Sequence, residues 1–161
     1  MATRFVGLPQ AAEYPSSNYP QLTVVNNRPV LAFDAATAET CYWTDVAPQG
    51  LTGTLSLVVS FIMASATSGN VVFKATIEAI TDGDATDLDA TTSFASDNTS
   101  SATAVGSTAG YMKQATITLT NNDSLAAADY YRLSFARDAA NASDTASGDA
   151  YVLAVELRDS A

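Results

Sequence analysis

The sequence predicts an all-β fold, an antiparallel β-sandwich of jelly-roll type preceded by an extended N-terminal arm. Three observations predict it. Apolar residues recur at every second position over long runs, as in Leu55, Leu57, Val59, Phe61 and Met63, and period-two alternation marks strands with one face to bury. No stretch sustains the 3.6-residue apolar repeat of an amphipathic helix. Between the runs stand clusters of Pro, Gly, Asn and Asp, the residues that end strands. Seven to nine strands in two face-packed sheets, with jelly-roll or related Greek-key connections, are the economical arrangement. Spacing alone leaves an immunoglobulin-like sandwich open, although its Cys-Trp-Cys signature is missing.

Residues 1–27 differ from the rest. Pro9, Pro15 and Pro20 interrupt any ladder and push the preceding residue to extended geometry, and Tyr14-Pro15 and Tyr19-Pro20 repeat an aromatic-proline unit. Such a segment stays mobile or lies along another surface, with Phe5, Leu8, Tyr14, Tyr19 and Leu22 as its anchors. The sandwich is expected over 28–161. Pro29 to Asp34 reads as a short strand opened by proline, Ala35 to Ala38 as a turn, and Glu39 to Val46 as a strand holding Cys41, Tyr42 and Trp43. Leu55 to Met63 and Val71 to Ala79, joined by a loop containing Gly69, read as a β-hairpin. Leu88 to Phe94 is expected to be a modest strand, and a short edge strand is expected near Ala102 to Val105 within the small-residue stretch Ala95 to Gly110. Tyr111 to Leu119 forms the next strand, and Ser124 to Ala128 is one capped helical turn at most. Two strands close the chain. Tyr131, Leu133 and Phe135 share one face of the first, and Tyr151, Leu153, Val155 and Leu157 one face of the second, with Arg132 and Glu156 placed to pair across the sheet.

Composition excludes several functions. Seven basic against seventeen acidic residues leave a net charge of −10, and no Lys/Arg stripe exists to replace counterions along phosphates. Nucleic acid and anionic membrane surfaces are therefore not expected partners. The acidity belongs to the body, since residues 1–28 hold only Arg4, Arg28 and Glu13. Cys41 stands alone, which rules out an intrachain disulfide and reads as a small buried residue. The opening residues have no apolar h-region, so cytoplasmic synthesis is the default expectation. With no histidine and one cysteine, the usual nucleophilic triads and structural zinc sites have no ligands to draw on, and neither catalysis nor a cofactor is expected. Asp82, Asp84, Asp87 and Asp89 read as a solvated acidic loop. Ca²⁺ is the alternative there, although Ser93 at the twelfth position breaks the EF-hand pattern.

The loop between the last two strands has its own chemistry. Arg137 and Asp138 at one end face Asp144 and Asp149 at the other, so a charge-assisted Arg-carboxylate clasp closes the loop or, alternatively, these groups are simply solvated. The run Tyr131-Arg132-Leu133, Arg137-Asp138, Asp144-Thr145, Gly148-Asp149-Ala150 and Val155-Glu156-Leu157-Arg158 resembles a small β-sandwich module of tailed-bacteriophage virion proteins. The resemblance extends loosely through Gly69-Asn70-Val71-Val72-Phe73 and the Tyr111–Leu119 strand, about the last ninety residues. It implies a non-catalytic virion component. The first expectation is a decoration (cement) protein on the outer capsid surface, trimeric, bound to the major capsid protein through the arm. The second is a fibre module recognising host glycans through Tyr42, Trp43 or Tyr130 and the 95–110 loop.

Overall fold

A computed structural model describes residues 1–160. Among the described residues there are twelve strands: β1 (Ala2–Gly7), β2 (Gln21–Val25), β3 (Arg28–Phe33), β4 (Thr40–Val46), β5 (Leu55–Met63), β6 (Asn70–Val71), β7 (Phe73–Ile80), β8 (Asn98–Thr99), β9 (Thr103–Ala104), β10 (Lys113–Thr118), β11 (Tyr130–Arg137) and β12 (Ala150–Asp159), with one 3-10 turn at Pro9–Ala11. One sheet runs β10-β5-β12-β3-β2, with β1 also on β12; the facing sheet runs β4-β11-β7-β8, and β6-β9 is a separate ribbon. Chain order alternates between the sheets from β3 to β4, β5 and β7, and again from β10 to β11 and β12. This is the nested antiparallel wrapping of a jelly roll.

The core lies between the sheets, where the alternating strands meet. Phe61 of one sheet meets Phe73 of the other edge to face at 5.2 Å between centroids, and Phe33 meets Phe135 in the same way at 5.4 Å. Cys41 is buried there too, and burial pushes its thiol pKa far up, so it packs as a small apolar group.

Several sequence expectations change. The runs read as a hairpin, β5 and β7, sit in different sheets, and the loop between them crosses the sandwich. Both strands carry an apolar row, and crossing lets those rows face each other. Gly69 ends the crossing with φ +92, and a Cβ there would lie 2.9 Å from the Ala146 backbone. Arg132 and Glu156 are likewise on opposite sheets: Arg132 faces Glu78 at 3.5 Å, while Glu156 accepts from Arg158 Nη2 at 2.7 Å. In β12, a bulge between Val152 and Ala154 shifts the register, so Ala150 and Val152 face inward before it and Val155, Leu157 and Asp159 after it. Tyr151 and Leu153 therefore leave the inward row. Leu88 to Phe94 is irregular, and residues 124–128 form turns with positive φ at Ser124 (57°) and Ala128 (73°). The expected edge strand appears as β9.

The largest change concerns residues 1–27, which are built into the body. β1 pairs with the C-terminal half of β12, from Ala2↔Asp159 to Gly7↔Val155, on the edge whose other half is taken by β3. The boundary drawn between residues 27 and 28 falls inside a β2–β3 hairpin, whose turn residues Asn26 and Asn27 have φ of 46° and 62°. Two consecutive left-handed residues are what a twisted two-residue hairpin turn requires, and Asn tolerates that region.

Candidate functional site

The N-terminal anchors divide into inner and outer. Phe5 packs edge to face on Tyr131 at 6.3 Å. Gly7 crosses over Trp43, where a Cβ would come within 2.9 Å of the indole ring, and the Leu8 carbonyl accepts the Trp43 Nε1–H at 3.1 Å. Arg4 donates through Nε to Asp159 Oδ2 at 2.7 Å, an oxygen that also takes the Thr52 N–H at 2.9 Å. These contacts are structural. Tyr14 and Tyr19 pack on each other at 5.4 Å, and together with the Leu8 and Leu22 side chains they remain exposed.

The clasp forms, with fewer members than the sequence suggested. Arg137 is 1% exposed; its Nε and Nη2 make a bidentate pair with Asp144 at 3.0 and 2.7 Å. Its remaining N–H groups reach the carbonyls of Gly148 at 2.8 Å and Ala146 at 2.7 Å, and Asp144 Oδ2 also accepts the Val72 N–H at 3.0 Å. One buried cation thus ties the β11–β12 loop to the β6–β7 corner. Asp138 instead accepts from the Asn141 amide at 3.0 Å. Asp149 lines a separate shallow hollow with Asp34 and Glu39. Among the described residues no three acidic, cysteine or histidine side chains gather as metal ligands, there or in the 82–89 loop.

The richest surface chemistry lies on the outer face of the four-stranded sheet. Strand alternation turns Thr44, Arg132 and Glu78 outward in one cross-strand row, with Tyr130 in the next. Glu13 walls one side: its backbone pairs with Tyr42 through two hydrogen bonds, and its Oε2 accepts from the Thr44 hydroxyl at 2.9 Å. The loop after β7 walls the other side with Leu88 and Thr91, enclosing a cavity of about 280 Å³. Glu78, at its floor, is only 2% exposed, and its Oε1 takes the Ser93 N–H. Its Oε2 meets Arg132 Nη1 at 3.5 Å, longer than a good hydrogen bond. Phe94 stacks on Tyr42 at 5.9 Å, and the Arg132 guanidinium lies over both rings at 5.4 and 4.9 Å.

Of the aromatic residues singled out from sequence, Tyr42 and Tyr130 are therefore on this face, and Trp43 is core at 2% exposure. No residue of the 95–110 loop lines this cavity; Asp97 pairs with Lys74 at 3.2 Å beside a second hollow on the same face. The Asn98 side chain is buried, donating to the Ala75 and Asn121 carbonyls at 3.3 and 2.9 Å. Glu78, Arg132, Glu13 and Thr44 were not recognised from sequence as one site. Period two places Arg132 and Glu78 outward, and only the strand order makes them neighbours.

The outer face of the six-stranded sheet differs. Val25, Ile62, Met112 and Leu153, with Arg28 at the rim, line a shallow apolar hollow of about 480 Å³. Met112 and the adjacent Tyr111 are each about 60% exposed.

No family model matches the sequence, and no curated protein sequence matches it. Among solved structures, the X-ray structure of a carbohydrate-binding module specific for non-crystalline cellulose is similar, with 9% identity and a TM-score of 0.44 over 92% of this chain and 84% of that one. That likeness is too loose to transfer a ligand to this chain.

Proposed function

We propose that this chain is a non-catalytic virion surface protein of a tailed phage, a decoration subunit that binds the outside of the capsid shell as a trimer. The observation that carries this reading is the resemblance of the C-terminal strand-loop-strand to virion β-sandwich modules. The Arg137–Asp144 clasp gives its Arg, Asp and Gly positions a shared physical reason, since they close one buried corner. The partner is the major capsid protein, and the protein acts on the outer capsid surface after synthesis in the host cytoplasm.

The docking surface in this reading is not a flexible arm, because residues 2–7 and 21–25 are sheet strands. The better-suited face is the apolar hollow around Ile62, Met112 and Leu153, which offers desolvatable area with few charges. Met112→Glu is expected to abolish co-sedimentation with capsid shells while leaving the fold intact, since Met112 is exposed. Co-sedimentation equal to that of the unmodified protein would refute this docking face.

A second reading, a fibre module that recognises host glycans, is favoured by one specific observation. The cavity over Arg132 and Glu78 mixes hydrogen-bonding groups with Tyr130 and Leu88, a lining suited to polyhydroxylated ligands. Reproducible signal on a glycan array tests it.

A further inference from the structure

We infer that the cavity over Arg132 and Glu78 is a subsite for one or two uncharged sugar residues at the end of a glycan, with Glu13, Thr44, Glu78 and Arg132 as its hydrogen-bonding groups. The inference rests on the second reading above and gives its cavity a ligand class.

The floor is the starting point. Buried charges are normally paired and fully hydrogen-bonded. Glu78 has Oε1 bonded to Ser93, while Oε2 and the Arg132 guanidinium stand 3.5 Å apart. A hydroxyl is both donor and acceptor. Bridging the two from the cavity side, it donates to the carboxylate and accepts from the guanidinium, giving each a further hydrogen bond. Arg132 is held for this role by the Tyr42 and Phe94 rings beneath it. A neighbouring hydroxyl finds Glu13 and Thr44, joined by their own 2.9 Å bond, on the β4 side. Leu88 and Tyr130, 55% and 40% exposed, supply apolar surface for the C–H face of a ring.

Charge and size select the ligand. Two carboxylates face one guanidinium, so the cavity is net negative within a chain of charge −10, and sugar carboxylates or sulfates are repelled. The volume, about 280 Å³, is at the lower edge of the roughly 300–1,000 Å³ of small-ligand pockets. Arg132, in this cavity's lining, lies over the ring of Tyr42, which lines a second hollow of about 190 Å³ with Thr40, Lys74 and Ser134; that partition favours a chain end over a continuous strand of polymer.

The test uses the full chain, a glycan array and saturation-transfer NMR with methyl glycosides of neutral hexoses and with N-acetylneuraminic acid. Glu13→Gln, Arg132→Met and the control Lys74→Ala are compared, with thermal melts confirming that each is folded. The expected result is binding to a neutral sugar, at least tenfold weaker in Glu13→Gln and Arg132→Met and unchanged in Lys74→Ala. Neutral-sugar binding that survives both substitutions overturns this site and leaves glycan recognition standing. Preference for the sialic acid overturns the ligand class. Silence across the whole array overturns the site and the reading it rests on together.

Discussion

Replacing Asp144 by alanine should be among the most damaging single changes in this protein. Arg137 is 1% exposed and cannot lose its proton, so Asp144→Ala leaves a cation in the interior with only the Gly148 and Ala146 carbonyls. Removing one partner of a buried ion pair costs about 3–5 kcal/mol. The Val72 N–H also loses its acceptor, which places the expected loss in the upper half of that range. For a chain of this length each kcal/mol lowers Tm by about 2–4 °C, so the melting temperature should fall by roughly 8–20 °C. Urea unfolding followed by Trp43 fluorescence gives the free energy. Asp144→Asn, which keeps an acceptor and removes the charge, should fall between the two. The double replacement Arg137→Met with Asp144→Leu removes the buried charges yet still strands two carbonyls and one N–H, so it should not recover full stability. If Asp144→Ala lies within about 1 kcal/mol of the unmodified protein, the range of a surface pair, the clasp is not the closure described above.

Three further outcomes can be measured alongside the docking and sugar tests. Deleting residues 1–7 removes Gly7 from over the Trp43 ring and strips β1 from the C-terminal half of β12, so it should red-shift tryptophan emission and lower Tm, whereas a dispensable arm would change neither. Phe5→Ala should cost about 2 kcal/mol, less than the 3–5 of a fully buried phenylalanine because Phe5 is only partly covered. Burial, then the charges of Asp34 and Asp149, raise the Glu39 carboxyl above its ordinary 4.5, against the lowering effect of the Asp34 N–H bond. A raised carboxyl contributes stability that is present below its unfolded value and lost as pH rises through the folded one. Glu39→Gln should therefore gain stability at pH 7, and the gain should vanish as pH falls below the ordinary carboxylate range. A pH-independent difference in Tm would contradict this.

Much of the body was legible in the residues. β5, β7 and β11 lie where alternation placed them, because burying one face of a strand requires an apolar row at every second position. The Arg137–Asp144 pair was legible as well, since an arginine and an aspartate seven residues apart across a turn-rich loop are within mutual reach. Other features were hidden for identifiable reasons. Leu153 looked inward by count, but a bulge adds a residue without leaving a mark on the pattern. Asn26-Asn27 suits a two-residue hairpin turn, yet Pro9, Pro15 and Pro20 before it suggested an extended arm that ended there. Trp43, a candidate glycan contact by sequence, is covered by β1, a strand that the proline-rich start of the chain did not announce.

By itself the sequence determined where β5, β7 and β11 lie, which of their faces are apolar, and that Arg137 and an aspartate of the last loop were candidates to pair. Tertiary structure decided which strands pair, that the first seven residues belong to the sheet, and that Glu13, Thr44, Glu78 and Arg132 share one cavity. The physical reason is that alternation reports a face to be buried, whereas sheet pairing is made by backbone N–H and C=O groups common to every residue. Only the packed chain chooses among partners that the side chains leave equivalent.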